Sequence, residues 1–146
     1  MGTYNHKGEI IMAETLFTKI AEGKIPSVKL YEDNICFVIL DINPIVKGHA
    51  LVISKEPYPN MASTPESILE HMILVARKVD GKLREQLHCD GTNVLVNNDR
   101  ASGQEIPHLH FHVIPRYTDD GRRFGFEHDT YADGEMTEMG KRLSFK

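Results

Sequence analysis

The sequence has no tryptophan and only two cysteines in 146 residues. Cys36 and Cys89 form no CxxC pair and lie far apart, so a disulfide-stapled scaffold is excluded and a reducing, cytoplasmic setting fits. Long hydrophobic runs are missing too. The longest, Ile35 to Leu40, falls far short of the roughly 20 apolar residues that span a membrane, so no membrane partner is expected. Neither sign of charge dominates: 17 Lys and Arg against 21 Asp and Glu leave a net charge of −4. A mildly acidic chain is not built to hold long nucleic acid by counterion release, although a small anionic ligand can still meet a locally positive site. The N-terminus lacks a secretory h-region: Lys7 precedes a short apolar patch, Ile10-Ile11-Met12, that Glu9 and Glu14 flank. Residues 1–12 read as a flexible leader, with Met12 a candidate internal or original start.

The remaining length is one domain's worth, and its punctuation divides it clearly. Leu16, Phe17, Ile20 and Ala21 form an apolar stripe that predicts a short helix from Glu14 to Gly23. Val28–Tyr31 and Ile35–Leu40, rich in β-branched and aromatic residues, flank the turn residues Glu32-Asp33-Asn34 and predict a hairpin. Ala50–Ser54 is a third strand. Leu69, Met72, Val75, Ala76, Val79, Leu83 and Leu87 step by three and four, predicting one long helix from Thr64 to about His88, with Thr64 as N-cap and Pro65 at its first position. Thr92–Asn97 is a fourth strand and Pro107–Ile114 a fifth, ended by Pro115. Grouped strands with few helices predict an α+β fold: a five-stranded antiparallel sheet with one short and one long helix. The domain is expected over residues 13–116. Residues 117–146 form a C-terminal tail in which Met136, Met139, Leu143 and Phe145 suit a short amphipathic element.

Histidine is what the chain has in excess: eight in all, three of them within five residues of Pro107-His108-Leu109-His110-Phe111-His112-Val113-Ile114. On a strand, His108, His110 and His112 share one face, spaced roughly 6.5–7 Å, while Leu109, Phe111 and Val113 share the other and suit packing under the long helix. Three readings of the row compete. It is a solvated polar face, a metal site built from i, i+2 imidazoles, or a catalytic row. In the last, a neutral imidazole attacks as nucleophile and an imidazolium supplies a proton. His6, His71, His88 and His128 fit no pattern and read as surface.

Residues 108–114 match at every position the His-φ-His-φ-His-φ-φ signature, with φ apolar, of the histidine triad (HIT) family, which the chain resembles. The resemblance extends over residues 14–116. It includes Leu16-Phe17-Thr18-Lys19-Ile20, Gly23-Lys24-Ile25-Pro26, Tyr31-Glu32-Asp33, Asp41-Ile42-Asn43-Pro44, Gly48-His49-Ala50-Leu51-Val52-Ile53, Asn97-Asn98, Gly103-Gln104 and Pro115-Arg116. It implies a HIT-like fold and a nucleotidyl hydrolase or transferase that cleaves a P–X bond at an α-phosphate. The substrate would be a nucleoside phosphoramidate or a dinucleoside polyphosphate, and the reaction would pass through a covalent nucleotidyl-histidine. By position, His110 is then the nucleophile, His112 contacts phosphate and helps protonate the leaving group, and His49 and His108 orient the row. Asn97, Gly103 and Gln104 would donate to phosphate oxygens. Phe17, Ile20 and Ile42 would wall the base, although on pattern alone they read as core, and Asp41 and Asn43 would hold the ribose, although each also suits a turn. No metal or other cofactor is required, and a homodimer is expected. Thr15 and Thr18 stand where zinc-binding members carry cysteines, so the resemblance implies no structural zinc there, and Glu105 stands where several members carry Ser or Thr, which leaves the leaving group open. A nucleotide-binding regulatory module with little turnover and a metal-dependent hydrolase are the alternatives.

Overall fold

The computed structural model describes residues 3–4, 10–11 and 14–145. Most of the expected leader, including Met12, lies outside the described residues; within it Thr3–Tyr4 (β1) pairs antiparallel with Ile10–Ile11 (β2). The first helix, α1, is Leu16–Ala21, two residues shorter at each end than its apolar stripe suggested. Thr15 is its N-cap and forms a capping box with Thr18: each threonine hydroxyl accepts the other residue's backbone N–H at 3.2 Å. Gly23, at φ +78°, lets the chain leave the helix at once.

Five strands then build one antiparallel sheet: β3 (Lys29–Glu32), β4 (Cys36–Leu40), β5 (Ala50–Ser54), β6 (Gly91–Val96) and β7 (His110–Arg116), in the order β3-β4-β5-β7-β6. This is the expected α+β architecture. The long helix, α2 (Glu66–Leu87), lies on one face. Its Met72, Val75, Ala76, Val79 and Leu83 pack with Cys36, Val38, Val52, Leu109, Phe111 and Val113. On the other face Phe17 and Ile20 of α1 pack with Phe37, Ile39, Leu51 and Ile53. The period of two therefore sorts every central strand between two cores, and the layer under α1 adjoins the histidine side of β7.

Three expectations about boundaries need correction. Thr64 does not cap α2: its hydroxyl donates back to the Asn60 carbonyl at 2.6 Å, and the helix begins after Pro65 with no side-chain cap. Pro115 does not end the last strand but pairs with Thr92 inside β7. The β5 ladder stops at Ala50–Val113, so β7 has become one-sided by then, where a proline is tolerated. At the other end β7 starts at His110, so His108 and Leu109 precede the strand. There the Leu109 N–H donates to the Tyr58 carbonyl at 2.6 Å, drawing the chain away from ideal pairing.

The tail leaves β7 through a turn fixed by a bidentate Arg116–Asp120 pair at 2.8 and 2.9 Å and ends in α3 (Glu135–Leu143), none of whose side chains is buried. No described helix is long and apolar enough to cross a membrane.

Candidate active site

The loop after β4 and the start of β5 aim His49 at the row on β7. Gly48 makes this approach possible. Its φ is +101°, a conformation that residues with a Cβ rarely adopt. Beside it a cavity of about 1060 Å³ opens on the α1 face of the sheet. Phe17, Ile20, Asp41, Ile42, Asn43, His49, Asn97, Gly103, His110 and His112 all line it. Ten of the twelve residues singled out from the sequence thus meet at one cleft, drawn from six separate segments. A smaller cavity of about 540 Å³, between Pro44–Lys47, Leu87 and the 117–122 segment, holds no imidazole.

The other two, His108 and Gln104, are not among the residues lining the cavity. His108 is fully buried, off the cavity wall, and Phe17 lies edge-on to it at 5.5 Å between ring centres. It precedes the strand, so the three rings do not form one evenly spaced row. The rings of His110 and His112 converge to 4.9 Å, less than the strand repeat, because the side chains lean together beyond the backbone. The Gln104 side chain is engaged within its own loop region. Its Oε1 accepts the Asp99 N–H at 2.9 Å and its Nε2 donates to the Pro59 carbonyl at 2.7 Å, so both ends pin the loop. Its backbone N–H is directed at the Asp99 carbonyl, 3.3 Å away.

Fixed backbone groups set the tautomer of each imidazole, because a carbonyl only accepts and an N–H only donates. His108 Nε2 donates to the Ser54 carbonyl at 2.6 Å, so its Nδ1 accepts the Thr15 hydroxyl at 2.6 Å. His110 Nδ1 donates to the His108 carbonyl at 2.6 Å, which leaves a lone pair on Nε2. The Ile45 N–H donates to His49 Nδ1 at 3.1 Å, so His49 carries its proton on Nε2 and donates it to His112 Nδ1 at 2.9 Å. His112 is thereby left with its proton on Nε2. That atom is the one buried side-chain N or O among the described residues with no hydrogen-bond partner. A buried unpaired donor costs roughly 1–3 kcal/mol, so it marks a place where a ligand acceptor belongs.

Burial depresses all four imidazoles. It pushes His108 down to about 4, only partly opposed by its bond to the Ser54 carbonyl. It pushes His112 to about 4 as well, helped by the neighbouring His110 and His49 rings. His110 and His49 are lowered for the same reason, with Asp41 pulling each partly back. At neutral pH the rings are therefore uncharged, and His110 keeps its lone pair.

Asp41 serves two ends. Its Oδ1 accepts the Asn43 N–H at 2.8 Å, the turn role, while Oδ2 lies 3.7 Å from His49 Nε2. Asp41, His49 and His112 also offer ligand atoms within 4.8 Å of one another, a donor set that suits a borderline divalent cation. Ile42 is 92 % exposed, on the cavity rim rather than in the core. Sequence reasoning missed Thr15 as the partner of His108, and the contribution of Leu16, Ile25, Val28 and Ile39 to the apolar wall. Nothing local distinguishes those residues from ordinary core. Glu105 does line the cavity, and among the described residues Asp41 is its only charged companion there, with no Lys or Arg.

Comparisons with known proteins agree with this geometry. The family model described as the HIT domain matches residues 22–119. The chain is 43% identical over 126 residues to an uncharacterized HIT-like protein of Methanocaldococcus jannaschii, covering 85% of this chain and 97% of that one. It is 34% identical over 132 residues to the adenosine 5'-monophosphoramidase of Schizosaccharomyces pombe, covering 90% and 96%. The crystal structure of a histidine triad nucleotide-binding protein from Candida albicans superposes with a TM-score of 0.78 at 30% identity, covering 89% of this chain and 94% of that one. With the signature strand, the paired rings and a matched span of this extent, the chain belongs to the HIT domain family.

Proposed function

We propose that this protein is a nucleotide-binding hydrolase that cleaves a P–X bond at the α-phosphate of a nucleoside phosphoramidate, with His110 as nucleophile. The observation that carries the reading is the pair of opposed ring atoms at the cavity: a lone pair on His110 Nε2 and an unpartnered proton on His112 Nε2. In the first step Nε2 of His110 forms a bond to phosphorus. The P–X bond breaks with its electron pair going to X; the bound phosphate anion lets the His112 ring take up a second proton from solvent, and that imidazolium protonates X. In the second step water attacks phosphorus, the P–N bond returns its pair to His110, and the proton of water restores His112. Asn97 and the Gly103 turn would contact phosphate oxygens where charge develops. Phe17, Ile20 and Ile42 would wall the base, and Asp41 and Asn43 would take the ribose hydroxyls. The named activity of the fission yeast relative supports this substrate class.

The charge of the cavity favours a single phosphate over a polyphosphate. Asp41 and Glu105 are its only charged side chains among the described residues, and these supply no cation for a β- or γ-phosphate. An adenosine phosphoramidate with an alkylamine leaving group should therefore exceed diadenosine polyphosphates in kcat/KM by about 100-fold, and Glu105→Gln should narrow the gap about tenfold, a change of about 1.4 kcal/mol. A panel of adenosine and guanosine phosphoramidates, dinucleoside polyphosphates and acyl adenylates measures this. Preference for polyphosphates would reverse the assignment. Tight binding without turnover across the panel would favour a regulatory module, and loss of activity to chelator with recovery on adding metal would favour a metal-dependent hydrolase.

A cytoplasmic homodimer is part of the same proposal. β6 is an edge strand with Val94 exposed on it, the kind of open ladder that a second copy extends. Light scattering on the purified chain should give twice the monomer mass, and a single-chain mass would refute it.

A further inference from the structure

On the α2 side of the sheet lies a second group of chemically capable side chains that the hydrolytic reading does not use. The turn between β3 and β4 carries Asp33 and, three residues on, Cys36; α2 brings His71 against them. A carboxylate oxygen, the thiol sulfur and an imidazole nitrogen from these residues all lie within 4.8 Å of one another. His71 Nε2 is 2.6 Å from Asp33 Oδ2, and the Tyr31 hydroxyl donates to the same oxygen at 2.6 Å. Asp33 Oδ1 accepts the Ile35 and Cys36 N–H groups at 2.7 and 2.9 Å, which locks the carboxylate with Oδ2 turned to His71.

We propose that Asp33, Cys36 and His71 form a binding site for one zinc-class divalent cation, clamping the β3–β4 turn to α2. A set of one sulfur, one nitrogen and one oxygen selects Zn²⁺ over Mg²⁺ or Ca²⁺, which take oxygen. With ligand bonds of about 2.0–2.3 Å, ligand atoms around one tetrahedral ion stand roughly 3.3–3.8 Å apart, so small side-chain shifts suffice. His71 is free to make its share: its side chain is 39% exposed, whereas Cys36 is fully buried. Tyr31 can keep its bond to the second lone pair of Oδ2, and water completes the shell from the His71 side.

Charge balances as well. Asp33 is held ionised: despite burial, its bonds from Tyr31, Cys36, His71 and Ile35 keep its carboxyl well below the usual range. Ionised Asp33 and Cys36 with neutral His71 offset one divalent cation. Burial, then the nearby Asp33 charge, pushes the Cys36 thiol up to about 12, with Lys55 and Lys78 only partly opposing.

Titration of the reduced full-length chain with Co²⁺ tests this, because only a thiolate ligand gives a sulfur-to-cobalt charge-transfer band. The expected result is a near-ultraviolet band that saturates at one equivalent. The band should vanish in Cys36→Ala, weaken about 100-fold or more in His71→Gln, and persist in Cys89→Ser. Zn²⁺ should raise the Tm of the wild type but not of His71→Gln, a half-exposed change that keeps the test sound if Cys36→Ala fails to fold. Nucleotide hydrolysis by His71→Gln should be unchanged. A sulfur band that is absent at saturating cobalt, survives His71→Gln or disappears in Cys89→Ser would overturn the site. So would cobalt held without sulfur by Asp41, His49 and His112.

Discussion

Replacing His110 with alanine is expected to lower kcat/KM by at least about 10⁴-fold while nucleoside monophosphate still binds. Binding survives because the apolar wall from Phe17 to Leu51 and the Asp41 turn are left in place. Turnover does not, because no second ring shares its geometry: His108 is off the cavity with both nitrogens bonded, and His112 presents a proton rather than a lone pair. Mass spectrometry of acid-quenched wild-type enzyme with substrate should find the nucleotidyl adduct on His110. The wild-type rate should also fall as pH drops through the depressed pKa of His110, since the protonated ring has no lone pair. More than a tenth of wild-type activity in His110→Ala would discard the nucleophile assignment.

His112→Ala is the second large effect, and its signature is selective. Loss of a proton donor to the leaving atom costs about 10²–10⁴-fold where that atom is a poor leaving group, such as an alkylamine. The loss should shrink below about tenfold for a stable anion such as fluoride or a nitrophenolate, which leaves unprotonated. Plotting the His112→Ala defect against leaving-group pKa checks this. A defect of the same size across the series would make His112 a binding residue and not an acid. His49 acts behind it: the Ile45 N–H fixes the His49 tautomer, which fixes that of His112, so His49→Ala should show a weaker form of the same dependence.

Patterns that run along the chain carried most of the fold. Alternation told which residues of 108–113 face α2, and Leu109, Phe111 and Val113 do pack there. The steps of three and four gave the buried face of α2. Local chemistry with two outlets was less legible. Thr64 has the residue type of an N-cap, but its hydroxyl finds the Asn60 carbonyl, because a hydroxyl donates as readily as it accepts. Gln104 lies in a motif read as phosphate-binding, yet its amide is held by Pro59 and Asp99, which come from other parts of the loop region. His71 read as an unremarkable surface residue, and its contact with Asp33 joins positions 38 apart in the chain.

By itself, then, the sequence determined the composition of the cleft: a histidine-bearing strand with one apolar face, a glycine-hinged turn carrying His49, and an acidic turn at Asp41. Only the folded chain decided which imidazole holds which proton. A tautomer is set by the carbonyl or N–H that faces a ring nitrogen across space, and Ser54, Ile45 and Thr15 come to those positions from distant segments. Residue types repeat along a chain and can be read there; the direction of a hydrogen bond exists only once its two ends have been brought together.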